Sequence, residues 1–139
     1  YMMQTTRMSE MGLDLDGLFR ECRNAGNYKN ICFQSMGRDL SNDARIQDPR
    51  MASAKCEKGQ GEEMNACIRG VIYALIDNTW TGRYALPFCD SLQNAEAKSY
   101  CFISSAGYLD ATYQKSSEDI AQDCAAYVQS PEQCMALTR

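Results

Sequence analysis

The sequence of 139 residues contains no histidine. That absence excludes Ser–His and Cys–His catalytic pairs, histidine-ligated haem and the Cys₂His₂ zinc site. A membrane-spanning run of ~18 or more apolar residues is also missing; the best apolar stretch, Ile68–Ile76, is short and includes Arg69 and Gly70. Sustained period-two alternation, which is typical of strands, is lacking as well. These absences favour a helical protein without the commonest catalytic machinery.

Basic charge is scarce, since 14 Lys and Arg face 18 Asp and Glu for a net charge of −4. We therefore expect no nucleic-acid partner, because no basic stripe is present to neutralise phosphates. We expect one domain over residues 13–139, preceded by a flexible N-terminal segment, residues 1–12. The chain begins at Tyr1 instead of Met, which fits a cleaved signal peptide, a tag remnant or a longer parent chain.

Cysteine, by contrast, is abundant, and its spacing is regular. The eight cysteines form four couples with separations of 10, 11, 12 and 10 positions: Cys22 and Cys32, Cys56 and Cys67, Cys89 and Cys101, Cys124 and Cys134. The first members recur at intervals of 34, 33 and 35 positions, and the second members at 35, 34 and 33. This period is the length of a helix–turn–helix repeat. The even count and the lack of C-x-x-C pairs favour structural disulfides over zinc or iron–sulfur sites.

Turn and capping signals lie inside the cysteine couples, and helical periodicity lies between them. Ser130, Pro131 and Gln133 predict a capping box at the start of a helix. Asp48–Pro49 predicts the start of a short helix that runs through Cys56. Apolar residues follow helical spacing elsewhere, as in Leu15, Leu18, Phe19 and Cys22; Cys67, Val71, Ala74 and Leu75; and Ile120, Cys124, Tyr127 and Val128. Only Gln93–Asn94 interrupts the third couple.

These signals predict an all-α fold: a short right-handed stack of antiparallel helical hairpins, with a repeat of about 34 residues, stapled by four disulfides. Cysteines on the two sides of a turn face each other in such a hairpin, which favours sequential pairing within each couple. A shifted pairing, 32–56, 67–89 and 101–124, also joins antiparallel helices but leaves Cys22 and Cys134 over. Small residues that follow each second cysteine are expected to let neighbouring helices pack closely: Gly37, Gly70, Ala106 and Gly107.

In period, residues of about 13–139 resemble the tetratricopeptide and Sel1-like repeats, in which stacked hairpins form a binding solenoid. The tetratricopeptide Trp-Leu-Gly-Tyr pattern is not visible, so no binding residue is carried over. The stretches Cys32–Gly37 and Cys101–Tyr108 look like the Cys-aromatic-x-x-x-Gly signature of cysteine-stapled repeats in exported bacterial proteins. The spacing of the first and last couples also resembles twin CX9C proteins, which implies the mitochondrial intermembrane space. Those proteins keep each CX9C in one helix, whereas Gly26 and Pro131 interrupt both segments here.

Two other residue patterns could carry chemistry. The adjacent pairs Glu62–Glu63 and Glu118–Asp119 could serve carboxylate catalysis, but both fall in the first turn of a predicted helix, where acidic residues serve the helix dipole and the N-cap. Soft ligands for copper(I) are present in a methionine cluster: Met2, Met3, Met8 and Met11. Structural disulfides and an N-terminal tail explain the same residues, and we predict no catalytic, cofactor or metal site.

Trp80 is the single tryptophan, and it lies at a predicted turn, Asn78–Gly82, near Tyr84 in sequence. It could plug the interface between repeats, the interpretation we favour, or be presented to a partner together with Tyr84.

The sequence as a whole predicts a non-enzymatic, extracytoplasmic binding or scaffold protein, periplasmic, secreted or at the cell surface. We expect an accessory subunit docked through protein contacts on a larger membrane or cell-surface assembly. The alternative is a small-ligand or copper(I)-binding and storage protein. No cofactor and no transmembrane segment are expected.

Overall fold

A computed structural model describes residues 14–138, and the segment 1–12 that we expect to be flexible lies outside them. These residues form eight α-helices, with no strand among them and with a 3₁₀ turn, Gly26–Tyr28, between the first two. The helices are α1 Leu15–Arg23, α2 Lys29–Ile46, α3 Pro49–Cys56, α4 Glu62–Thr79, α5 Ala85–Ser91, α6 Ala95–Tyr113, α7 Ser117–Tyr127 and α8 Pro131–Leu137. The predicted all-α fold is confirmed.

A side-chain cap starts four of the eight helices. Asp48 caps α3 by accepting from the Arg50 amide, with Pro49 at the first helical position, as predicted. Asn94 caps α6 by accepting from the Ala97 amide, so the single predicted break in the third couple is a helix start. The predicted capping box at Ser130 is wrong, because its side chain makes no cap hydrogen bond. Its ψ is 86°, whereas Ser116, which does form a capping box, has ψ 163°.

The four disulfides pair the cysteines sequentially, as predicted, and the shifted pairing is wrong. The bridges are Cys22–Cys32, Cys56–Cys67, Cys89–Cys101 and Cys124–Cys134. Each joins the last turns of a short helix to the first turns of the helix that follows it. The disulfides therefore define four helix pairs: α1 with α2, α3 with α4, α5 with α6, and α7 with α8. All eight cysteines are fully buried.

Contacts between the helix pairs form two rows. Helix α2 packs most extensively on α4, α4 packs on α6, and α6 packs on α8. The shorter helices form the second row, in which α3 packs on α5 and α5 on α7. Each helix pair thus contacts its neighbour in sequence. The right-handed sense of this stack and the antiparallel course of each pair stay predictions.

Helix α4 is central, and it carries much of the hydrophobic core. Its Ile68, Val71, Ile72, Leu75 and Ile76 are essentially inaccessible to solvent. Burial of each such side chain contributes roughly 1.5–3 kcal/mol to folding.

None of the helices in the described part of the chain is long and apolar enough to cross a membrane.

Two glycines allow helices α2 and α4 to pack closely. A Cβ atom added to Gly37 would lie 1.9 Å from the carbonyl oxygen of Cys67, and one added to Gly70 would lie 1.9 Å from that of Gln34. The backbones of α2 and α4 therefore touch at these two glycines, which confirms the predicted role of both. The same prediction is wrong for Gly107, where an added Cβ would meet nothing within 4 Å. Ala106 is half-buried on the same helix.

Carboxylates, not disulfides, connect neighbouring helix pairs. Glu63 on α4 accepts two hydrogen bonds from the Arg23 guanidinium on α1, both of 2.9 Å. Glu57, just after α3, accepts from the amides of Gln93 and Asn94 at the start of α6, at 3.0 and 2.7 Å. Asp123 on α7 accepts from the Gly82 amide at 2.9 Å. These polar contacts thus add to the apolar packing between each pair and the next.

Candidate functional site

Trp80 ends helix α4 in an unusual backbone conformation. Its φ of 62° and ψ of 20° are left-handed, and its amide donates to the carbonyl of Ile76. Such angles cost an L-residue with a bulky side chain roughly 1–2 kcal/mol, which is why glycine or asparagine normally occupies this position. The indole is nevertheless 65% exposed. The interpretation that Trp80 plugs an interface between repeats is therefore wrong, because the side chain lies at the surface.

Three tyrosines continue from Trp80 across α4 and α6. Trp80 stacks against Tyr113 with a centroid distance of 6.3 Å, and Tyr113 meets Tyr108 edge to face at 6.1 Å. Tyr108 in turn stacks on Tyr73 at 4.2 Å, with an interplanar angle of 18°. We call Tyr73, Tyr108, Tyr113 and Trp80 the aromatic row. It joins two long helices across a surface that is partly open to solvent.

Asp77 holds the centre of the aromatic row. Its Oδ1 accepts the hydroxyl of Tyr108 at 2.7 Å and that of Tyr113 at 2.6 Å. Burial and the bond to Asp77 raise the pKa of Tyr108 to about 12. The hydrogen bond to Asp77 also raises the pKa of Tyr113. Both phenols donate their hydroxyl protons to Asp77, and these two hydrogen bonds fix the rings in position.

A shallow groove adjoins the aromatic row between α2 and α4. It encloses a cavity of about 220 Å³, with Ile31, Gln34 and Arg38 on the α2 side and Gly70, Tyr73 and Ala74 on the α4 side. Ile31 is 48% exposed at its edge. Tyr73 belongs to both features, and Asp77 lines the groove and binds two tyrosines of the row, so groove and row form one continuous surface. The close approach of α2 and α4 at Gly70 keeps the groove shallow.

Trp80 and Tyr84, which we predicted to contact a partner together, do not share one surface in the structure. Tyr84 lies half-buried at the start of α5 and packs against the core, with the Arg83 guanidinium 5.1 Å above its ring. It makes no ring contact with the aromatic row. Sequence reasoning missed Asp77, Tyr108 and Tyr113 as site residues. One signal was present, because Tyr108 follows Tyr73 by 35 positions, about one period of the repeat.

The other candidate residues have structural surroundings. Glu62 pairs with Arg69, and Glu63 pairs with Arg23, at 2.9 Å each. Asp119 completes the capping box with Ser116 at the start of α7. Asp119 thus has the predicted N-cap role, whereas Glu62 and Glu63 lie in a first helical turn, as predicted, but pair with arginines. Within residues 14–138 no three acidic, histidine or cysteine side chains converge to hold a metal ion, and the methionine cluster at residues 2–11 lies outside that range.

No protein-family model, curated protein or solved structure matches this chain. The resemblance to tetratricopeptide and Sel1-like repeats therefore rests on the period alone. Roles for the residues above come from their own geometry.

Proposed function

We propose that this chain is a non-catalytic binding or scaffold protein that works outside the cytoplasm as an accessory subunit of a larger membrane or cell-surface assembly. One observation carries the proposal: Trp80 is two-thirds exposed in a left-handed conformation that disfavours tryptophan. A strained, exposed aromatic side chain beside fixed tyrosines is typical of the anchor residue of a protein interface.

The rigidity of the helices that carry the aromatic row supports this function. Four buried disulfides and the carboxylate contacts between helix pairs hold α2, α4 and α6 in place. A surface that is ordered before binding loses little conformational entropy when the partner arrives. Four disulfides are typical of proteins in oxidising compartments, which supports the periplasm, the cell surface or the extracellular space.

The ionisable groups support a non-catalytic role. Arg23 holds the pKa of Glu63 at about 2. Burial raises the pKa of Glu57, but Arg50 and two backbone amides outweigh it and keep that pKa below its usual range. Both carboxylates are thus kept ionised by contacts that join helix pairs. Structural ion pairs shift pKa values as catalytic surroundings do, and the contacts between helix pairs account for both shifts here.

The test is isolation of the protein, under non-reducing conditions, from cells that produce it naturally. We expect a discrete partner to accompany the wild type and a Tyr127→Ala variant, which removes an exposed aromatic residue on α7. The partner should be lost from Trp80→Gly, since glycine keeps the left-handed cap. Recovery of this chain alone, or equal recovery of the partner with Trp80→Gly, would contradict the proposal.

The second candidate function is binding of a small molecule, and the cavity of about 220 Å³ between α2 and α4 favours it. Copper(I) binding has less support, because all eight cysteines are in disulfides and offer no thiolate. Native mass spectrometry of the isolated protein distinguishes the candidates. A carrier would show an added mass, of a small molecule or of copper, whereas a scaffold would show the mass of the chain alone or with its partner.

A further inference from the structure

We propose that the aromatic row and the adjoining groove bind an extended, proline-rich segment that carries a basic side chain. This inference rests on the proposed function, since the segment would belong to the partner protein.

The aromatic row offers ring surfaces and no free hydroxyl donor. Tyr108 and Tyr113 both donate their hydroxyl protons to Asp77, so neither can donate a hydrogen bond to a ligand. Trp80 adds a large exposed face beside them. A ligand for this surface must therefore pack rigid, apolar groups against aromatic rings. Proline rings do this, and polyproline segments dock in aromatic-lined grooves with little loss of conformational freedom.

Other modes of peptide recognition fit the surface less well. Strand addition needs a sheet edge, and residues 14–138 contain no strand. A docked helix, ~10–12 Å across with its side chains, needs a long apolar channel. The groove holds only about 220 Å³ and is bounded by the close contact of α2 and α4 at Gly70. A polyproline II segment makes no internal hydrogen bonds and needs only alternate apolar contacts.

Charge complementarity specifies the basic side chain. Asp77 lies exposed in the middle of the aromatic row, and the π faces around it carry negative potential. The whole chain adds a net charge of −4. Among the residues that line the groove, Asp77 is the single carboxylate and Arg38, on the α2 wall, the single cation, so the positive side chain of a ligand would lie at the Asp77 side. An arginine or lysine there gains both a carboxylate and aromatic faces.

The experiment is selection of a random peptide library, displayed on phage, against the oxidised full chain, with counter-selection against Trp80→Gly. We expect the surviving peptides to contain closely spaced prolines and at least one Arg or Lys. Survivors without proline, or no survivors, would overturn the proposal. Because the chain has one tryptophan, its fluorescence then reports the affinity of each synthetic peptide directly.

Two substitutions test the charge. Asp77→Asn keeps an acceptor for the tyrosine hydroxyls but removes the negative charge, and it should weaken basic peptides roughly two- to fivefold. Glu132→Gln, the same change of charge on α8, should leave the affinity unchanged. If both substitutions weakened the affinity for basic peptides equally, the net charge alone would explain the effect, and the proposed site at Asp77 would be wrong.

The two proposals fail separately. If the natural partner is lost with Trp80→Gly but no proline-rich peptide binds, the binding function stands and the ligand chemistry is wrong. If proline-rich peptides bind through Trp80 but the chain is isolated without a partner, the peptide site stands and the accessory-subunit function is wrong.

Discussion

Gln114 and Trp80 are the two non-glycine residues with positive φ in the described chain. Gln114 ends α6 at φ 57°, with its amide donating to Asp110 and Leu109. It makes no contact that explains the strain. We expect Gln114→Gly to raise the free energy of unfolding by about 0.5–1 kcal/mol, because glycine adopts this conformation without a steric cost. Urea unfolding followed by circular dichroism measures it, and a loss of stability would show that the glutamine side chain has a structural role.

Two glycines on long helices should respond in opposite ways to alanine. Gly37→Ala forces a Cβ atom into the Cys67 carbonyl oxygen and should lower the free energy of unfolding by about 1–3 kcal/mol. Gly107→Ala places its Cβ in open space and should raise it by about 0.5–1 kcal/mol, since alanine favours a helix. Thermal melts of both variants decide this. A stable Gly37→Ala would contradict the close contact of α2 and α4.

At the scale of helices, the Glu63 contact between α1 and α4 should make stability depend on pH. Its folded pKa of about 2 lies below the ordinary value of 4.5, so the stabilisation is complete above about pH 4.5 and is lost as the pH falls towards 2. Glu63→Gln should cost about 2–3 kcal/mol at neutral pH, less than the pKa shift alone implies, because Arg23 is 41% exposed.

The measurement is urea unfolding of wild type and Glu63→Gln from neutral pH down to about pH 2, with the disulfides intact. The two proteins should converge in stability as the pH falls. Glu62→Gln is the matched control, because Glu62 is 54% exposed and should contribute under about 1 kcal/mol. If the free energies of unfolding of Glu63→Gln and wild type differed by the same amount at every pH, the charge of the carboxylate would not contribute to stability.

The helix starts show what local sequence determines. Helix α3 begins at Asp48–Pro49, as predicted, and α6 begins after Asn94, where the sequence indicated a break, because a cap needs only the residues within one turn. Helix α8 also begins where the sequence indicated, with Ser130 at the N-cap and Pro131 at the first position, but the Ser130 backbone does not direct the hydroxyl to the helix amides. The chain between α7 and α8 is also held by the Cys124–Cys134 disulfide.

At the scale of the whole molecule, the sequence was sufficient for the disulfide pattern but not for the surface. The 34-residue period placed every cysteine couple across a turn, since pairing within a couple is a local event. The aromatic row joins Tyr73 to Tyr108 and Trp80 to Tyr113 across more than thirty positions each. Such contacts depend on how α4 and α6 pack, which helical periodicity does not specify.

The disulfide pattern itself is testable on the intact protein. We expect the native chain to take up no alkylating agent and a non-reducing peptide map to give four bridges, each within one helix pair. Removing one bridge, as in a Cys124→Ala and Cys134→Ala double variant, should lower the free energy of unfolding by ~2–3 kcal/mol, because each bridge closes a short loop. A peptide linking Cys32 to Cys56 would contradict the structure.

Since every bridge lies within one helix pair, none joins two pairs. Under a pull on the two ends of the chain, tension would pass from helix to helix through the sulfur atoms and bypass the turn residues between them. The contacts between pairs, with their carboxylates and apolar faces, would separate while each pair kept its closed loop. Under force, the chain would therefore lengthen mainly where one helix pair separates from the next, while each disulfide-closed pair stays intact.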